Sequence, residues 1–481
     1  MRVGTSLVVG FIGLLGIADG AVITVPSPGI NTIQDGIDAS SSGDVIRVKA
    51  GLYEETVTIG VNQGGITLVG VGKVILDARP FAIANGPGLE VLGSGVTVKN
   101  ITIRCAVTGA GGDGDGLFVD ANDFNGSKIV VQHCEDDGIH VIGADVVLTD
   151  CRVEAVMGHG IHAESALGLV LKKCRIRGTG SGGIDAAGND VRISGCTTSG
   201  TNDDAIVVSG ANARIEKCRT EDSGSSGIEV DGSNAVIEHC RLLRTFGNVI
   251  LLDGNSGSIR KCTVVGTFGS AISATGIDVT IQSNTLRDVR NGIEIGAVID
   301  AIVTANRVVN SSTRAVRVQN SSNVQVTNNR FTGLLFGGIK FETSTLCVAS
   351  DNVLKSGCLS TGVAVIDLAA NGSVAFRNRI DGGTRDGIRV SADDVEVGDN
   401  IVRNCGEDGI DVDSGDACFI DGNVVIGCVG EGIENNGTNT TITNNVMKKN
   451  RTDLANDGTL DDVLGNVFTT GGTNEDPLID F

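Results

Sequence analysis

Tryptophan is absent from this chain of 481 residues, tyrosine occurs once, at Tyr53, and aromatic residues make up 3%. That poverty removes the usual platforms on which sugars or bases stack. Prolines number only five, so strands can keep their N–H donors almost everywhere. Positive charge is scarce too: 37 Lys and Arg stand against 58 Asp and Glu, a formal charge of −21 with no basic block. Nucleic acid is therefore not an expected partner, and a polyanionic ligand would need bound cations or a local basic strip. Long apolar runs are missing after the first one. Residues 7–17 follow Arg2 and precede the small residues Ala18, Gly20 and Ala21, which reads as a signal peptide (1–20) and not a membrane span. The expectation is an exported monomer, secreted, periplasmic or at the cell surface.

Glycine, by contrast, is abundant, at 70 residues, and it falls in a pattern. A Gly-Ile or Gly-Leu step recurs at Gly116-Leu117, Gly138-Ile139, Gly160-Ile161, Gly183-Ile184 and Gly227-Ile228, and onward to Gly432-Ile433, with degenerate copies such as Ala205-Ile206 and Gly362-Val363 between them. Each step opens a short period-2 run, a turn and a second alternating run. Strands wound into coils of about 22 residues fit this spacing, so most of the chain is one solenoid and not several globular domains. Ahead of it, Thr32 and the apolar pair Ile33 and Ile37 predict a short capping helix. The expected organisation is an N-terminal cap and first coils over 21–95, regular coils over 96–445, and a capping coil with an irregular tail over 446–481.

The opening TIQDGIDASSSGDVIRVKAGLYEETVTI, followed by Gly-Ile-x-Val coils, resembles the right-handed parallel β-helix proteins of the pectin-lyase-like superfamily. The resemblance covers nearly the whole chain after the leader and implies an all-β fold, a single right-handed parallel β-helix solenoid behind a short N-terminal capping helix. Leucine-rich repeats share the coil length, but between Cys240 and Val249 too few residues remain for a helix and its two connections.

A polar-or-thiol position ends the second run of each coil: Asn100, Cys134, Cys151, Cys174, Cys196, Cys218, Cys240 and Cys262, then Asn284 through Asn445. Stacking at about 4.8 Å makes this an inward ladder, with the thiols as small core residues, since adjacent parallel strands hold Cβ atoms beyond disulfide reach. Cys405 and Cys428 form the one disulfide candidate.

Four of the five histidines, His133, His140, His159 and His162, fall within 30 residues. Aligned on the Gly-Ile step, His140, His162 and Asp185 share one outward column, and Asp115, Asp137 and His159 the column just before it, with Asp204 two coils beyond. The candidate catalytic residues are His140, His162, His159, Asp137 and Asp204, imidazoles and carboxylates able to act as acid and base. Asp113, Asp115, Asp120 and Asp123 are candidate ligands for Ca2+, while a transition metal suits the histidines. Extra residues at 106–114 and 121–127 are expected to wall a cleft. Asn202-Asp203-Asp204 with Gly158-His159-Gly160 is similar to motifs of polygalacturonase-like glycosidases, but in reversed order. A uronate lyase could use His140 or His162 as base. A second charged patch, from Arg385, Asp386 and Arg389 to Asp408, Asp411, Glu431 and Glu434, reads as a surface ladder of alternating sign. Together these features lead to an exported protein that cleaves or binds polysaccharide or a cell-surface glycan on the face of the coils at 116–210. The alternative is a non-catalytic structural or adhesive rod.

Overall fold

A three-residue strand with one apolar row buries too little to stand alone, so coils stack. The computed structural model describes residues 20–80, 86–105, 114–355 and 363–469, and in it the coils form one parallel β-solenoid of about 19 turns. Of the expected signal sequence at residues 1–20, residues 1–19 lie outside the described residues. Three faces recur. Ile139–Val141, Ile161–Ala163 and Ile184–Ala187 pair in register on the first. Val147–Thr149, Val170–Lys172 and Arg192–Ser194 pair on the second, and Val130–Gln132, Arg152–Val156 and Arg175–Thr179 on the third. Ile139, Val141, Leu148 and Val153 show how each face sends its apolar row into the coil, where all four are fully buried.

The Gly-Ile step is the corner into the first face. A Cβ on Gly160 would lie 2.2 Å from Ile176 Cγ2 and 2.6 Å from the Gly183 carbonyl oxygen, so close packing of corner on corner selects glycine there. The capping helix spans Ile33–Asp38, with Thr32 as N-cap in a reciprocal capping box with Asp35. Ile33 and Ile37 join the solenoid core, and the Glu55 carboxylate, from the next coil, accepts the backbone N–H groups of Ile33 and Gln34 at 2.8 and 3.1 Å. Negative charge at a helix N-terminus is favourable.

The ladder differs from the expectation at its start. Arg152 and Arg175 donate their N–H groups to the carbonyls of Ile129 and Cys151, which places Ile101, Ile129, Cys151 and Cys174 in one column. Asn100 instead occupies the left-handed corner just before it, with φ 57°. Gln132 pairs with Glu154, so Cys134 falls in the column of Val156. The thiol stack proper is therefore Cys151 to Cys262, followed by asparagines. Asn445 does not end it, because Asn466 Oδ1 accepts the Asn445 N–H at 2.9 Å and one more coil follows, through Val467–Phe468. Cys405 and Cys428 are buried and not joined as a disulfide. Two further expectations are corrected. Ile339 pairs with Ile366, so the coil step is not Gly362-Val363. Residues 121–127 are no inserted wall, since Asn125–Ser127 is an ordinary second-face strand between Thr97–Lys99 and Val147–Thr149. Residues 106–113 lie outside the described residues.

Candidate active site on the first face

The column before each Gly-Ile corner has a structural job that fixes the site. Asp115 Oδ1 accepts the Asp137 N–H at 3.0 Å, and Asp137 Oδ1 accepts the His159 N–H at 2.5 Å. Asp204 does the same for the N–H of Ser226, three coils above Asp137. One carboxylate oxygen per coil is thus committed to holding the next corner, and the other can orient a side chain.

In two coils that second oxygen meets a histidine. Asp115 Oδ2 lies 3.0 Å from His140 Nδ1, and Asp137 Oδ2 lies 2.8 Å from His162 Nδ1. An ionised carboxylate only accepts, so each Nδ1 carries the proton and each Nε2 keeps its lone pair on the opposite side of the ring. His140 and His162, in register on adjacent strands, stack with centroids 5.0 Å apart and planes 18° apart, and Phe118 meets His140 edge-on. His159 is placed differently. Its Nδ1 reaches Asp137 Oδ1 at 3.2 Å and its Nε2 lies 3.0 Å from Ser181 Oγ, so both nitrogens are engaged and the ring supports Asp137.

Asp115 and Asp137 are 2% and 4% exposed. Burial pushes the Asp137 carboxyl up, but hydrogen bonds from His159 and His162 outweigh it and hold the group well below the usual carboxylate range. His140 is raised by its hydrogen bond to Asp115, and His159 and His162 by theirs to Asp137, each against the opposing effect of burial.

These residues floor a groove of about 710 Å3, which also takes in Pro87, Glu90, Asp136 and Glu164. Sequence reasoning missed Glu90 and Glu164. The latter stands two residues past His162, in the bend that follows the strand Ile161–Ala163; its Oε1 is 3.8 Å from His140 Nε2 and 4.0 Å from His162 Nε2. Of the predicted catalytic residues, His140, His162, His159 and Asp137 come together, and Asp204 does not line the groove. His133 sits in an exposed left-handed corner, φ 61°, away from them. Among the described residues, donors close enough to share a metal ion are Asp137, His140 and His162, and Asp115, Asp136 and Asp137. Asp120 and Asp123 belong to neither group, and Asp113 lies outside the described residues.

The C-terminal patch carries pairs of opposite sign as expected, Arg385 with Glu407 at 2.5 Å and Arg389 with Asp413 at 2.6 Å, but four of its carboxylates are covered and not at the surface. Asp386, Asp408, Asp411 and Glu431 are all less than 10% exposed. Burial, then repulsion from Asp386, Asp413 and Glu434, pushes the Asp411 carboxyl up to about 7. A raised carboxyl favours the folded state only while protonated, so its contribution is full below the ordinary 3.8 and is lost as pH climbs to about 7. Asp411→Asn should therefore stabilise the protein by about 1–3 kcal/mol at pH 8 and leave pH 4 stability unchanged, as read from urea midpoints.

Among the described residues no helix is long and apolar enough to cross a membrane, and no curated protein matches the chain. Among solved structures, a Geobacillus virus E2 protein, ORF18, is 16% identical over 55% of this chain and 54% of its own length, with a TM-score of 0.33; the chain thus spans about half of that protein. An alginate lyase from Paenibacillus is 17% identical over 55% of this chain and 95% of its own, with a TM-score of 0.38. PfbA, a surface adhesin of Streptococcus pneumoniae, is 11% identical over 68% and 86%, with a TM-score of 0.40. The family described as right handed beta helix region matches at residues 54–190, 137–286, 182–315 and 271–447. With most of its coils so covered, the chain belongs to the right-handed β-helix family.

Proposed function

We propose that the chain binds a polysaccharide along the first face and cleaves it at the His140–His162 pair by proton transfer. One observation carries this reading: two buried carboxylates hold two adjacent imidazoles by Nδ1, and both rings line a groove that runs across stacked coils. A base held in one tautomer within reach of a ligand is what proton abstraction requires. An elongated, polar-lined groove suits a hydroxyl-rich chain more than a compact apolar ligand.

The lining also selects the sugar. Glu90, Asp115, Asp136, Asp137 and Glu164 contribute carboxylates, and no Lys or Arg is among the described lining residues. Repulsion disfavours a bare uronate, so a neutral or amino-sugar polymer is the better fit, and hydrolysis fits better than uronate elimination.

The test offers purified protein a panel of neutral, amino-sugar and uronate polysaccharides and reads both new reducing ends and the ultraviolet absorbance of unsaturated products. Reducing ends from a neutral or amino-sugar polymer, lost in a His140→Ala, His162→Ala variant, are expected. Activity unchanged in that variant would place the chemistry elsewhere. Because the imidazoles are raised, the rate should climb with pH through a transition above the ordinary histidine value of 6.5.

A further inference from the structure

We infer that the corner between the second and third faces binds a linear acidic polysaccharide. The chain has a formal charge of −21 and no basic block in its sequence, yet the coil period gathers positive residues on this one edge. At the left-handed corner itself, Lys173, Lys217 and Lys261, with φ of 54°, 55° and 53°, stand on every second coil, separated by Gly195 and His239. Just past the corner on the third face, Arg152, Arg175, Arg219 and Arg241 share a column that only Thr197 interrupts. Just before it on the second face, Arg192 and Arg214 are in register, and Lys172 and Arg260 end their strands. From Arg152 to Lys261 the stripe runs about 24 Å at about 4.8 Å per coil. It is the local basic strip that a polyanion needs on so acidic a chain.

Two observations separate the stripe from ordinary surface charge. Other coils pair their charges across strands, as Arg244 does with Asp222, Arg377 with Asp351 and Arg385 with Glu407. In the stripe Arg152, Arg214 and Arg219 meet Glu154, Glu238 and Glu221, but Lys173, Arg175, Arg192, Lys217, Arg241 and Lys261 are exposed and form no ion pair with a described carboxylate. Asp150 lies at the near end of this edge, and Glu216 within it accepts from Ser194 Oγ at 2.9 Å, so positive groups still outnumber negative ones. The second observation is repulsion built into the register. Arg152 stands opposite Arg175, Arg192 opposite Arg214, and Arg219 opposite Arg241, and like charges directly opposite on neighbouring strands destabilise a sheet. A bound polyanion relieves that repulsion and releases counterions as it does so.

Shape and composition choose among polyanions. No helix or strand pair projects from these columns into a duplex groove, no Phe, Tyr or Trp in them offers a base a stacking surface, and no exposed apolar side chain in them anchors a bilayer. A flexible sugar chain bearing sulfate or carboxylate groups at short intervals needs only a line of cations. The inference does not rest on the cleavage reading, because the first face and its carboxylate-lined groove do not border this corner.

The full chain is titrated calorimetrically at about 50 mM salt with a sulfated heparin oligosaccharide, a galacturonate oligosaccharide of equal length, a single-stranded DNA oligonucleotide and phosphatidylglycerol vesicles. One of the two oligosaccharides should bind more tightly than DNA or vesicles and weaken at least about ten-fold between about 50 and 200 mM salt; the better of the two identifies the acidic group. The Lys173→Asn, Lys217→Asn, Lys261→Asn variant should lose at least about ten-fold in affinity, and Asn328 and Asn444, with φ of 57° and 55°, show that asparagine suits this corner. Arg175→Thr, Arg241→Thr copies Thr197 and Thr263 of the same column and should also lose about ten-fold. Arg330→Thr, Arg379→Thr removes equal charge from that column in later coils and should change affinity less than about two-fold. No binding of either oligosaccharide, tighter binding of DNA or vesicles, or equal losses in the two arginine variants would each overturn the assignment.

Discussion

Replacing Asp137 by asparagine should lower the rate of glycan cleavage by about 10²–10⁴-fold with little change in KM. The amide keeps the size of the side chain and one oxygen, so the corner at the His159 N–H can still be held. The other oxygen becomes an NH2 beside His162 Nδ1, now 2.8 Å from Oδ2. Two donors cannot face each other, so the imidazole shifts its proton to Nε2 and loses the lone pair that faced the groove. The pH transition of the residual rate should move down, because His162 is raised first of all by its hydrogen bond to Asp137. Nitrogen-15 NMR of the imidazole reads the tautomer directly, with or without a substrate in hand. An Nδ1-protonated His162 in Asp137→Asn would exclude the proposed control.

The same pair sets a window of stability. The depressed Asp137 carboxyl contributes above the ordinary 3.8, and its contribution is lost as pH falls through its lower native value; the raised histidines contribute fully below 6.5, and theirs is lost as pH rises through their higher native values. The ionic contribution of the cluster is therefore greatest between these two limits.

The columns of this site were legible because the motif Asp137-Gly138-Ile139-His140 and its neighbours repeat at a coil's spacing, and register then follows from the Gly-Ile corner alone. Glu164 was less legible, because it stands in the bend just past the strand Ile161–Ala163, where a reading taken only across coils does not look. Glu90 was hidden for another reason. Its corner, Gly88-Leu89, belongs to a coil that precedes the residues at 106–113, which break the spacing before Gly116. Cys134 was misplaced because cysteines occur in two columns of the coil, and only pairing on the third face separates it from Cys151. The buried state of Asp408 and Asp411 had no sequence signal, since a carboxylate at an outward position looks alike whether neighbouring side chains cover it or water does.

In the asparagine ladder, Asn329→Leu should destabilise the middle coils by about 3–5 kcal/mol, whereas Asn329→Cys should cost only about 1–2 kcal/mol. Asn329 is 1% exposed. Its Nδ2 donates to the Val303 carbonyl at 2.8 Å and to Asn352 Oδ1 at 3.1 Å, and its Oδ1 accepts the Asn306 N–H at 2.8 Å. Leucine fills the space but leaves a buried N–H and a buried carbonyl without partners, and such orphaned groups carry the full desolvation penalty. The chain itself indicates what a thiol can recover. Cys240 Sγ lies 3.7 Å from the Ile215 carbonyl and accepts from the Cys218 backbone, the two contacts that Nδ2 and Oδ1 make in the asparagine coils. A thiol makes both weakly, which is why it follows asparagine in effect but does not equal it. Because a solenoid can open one stretch of coils at a time, the measurement is native-state hydrogen exchange at the Asn306 and Asn329 amides. Protection should fall sharply in the leucine variant and modestly in the cysteine variant, while the coils around Cys196 keep theirs. Equal losses in the two variants would mean that the column is held by packing, and that thiol and amide share it only because both are small.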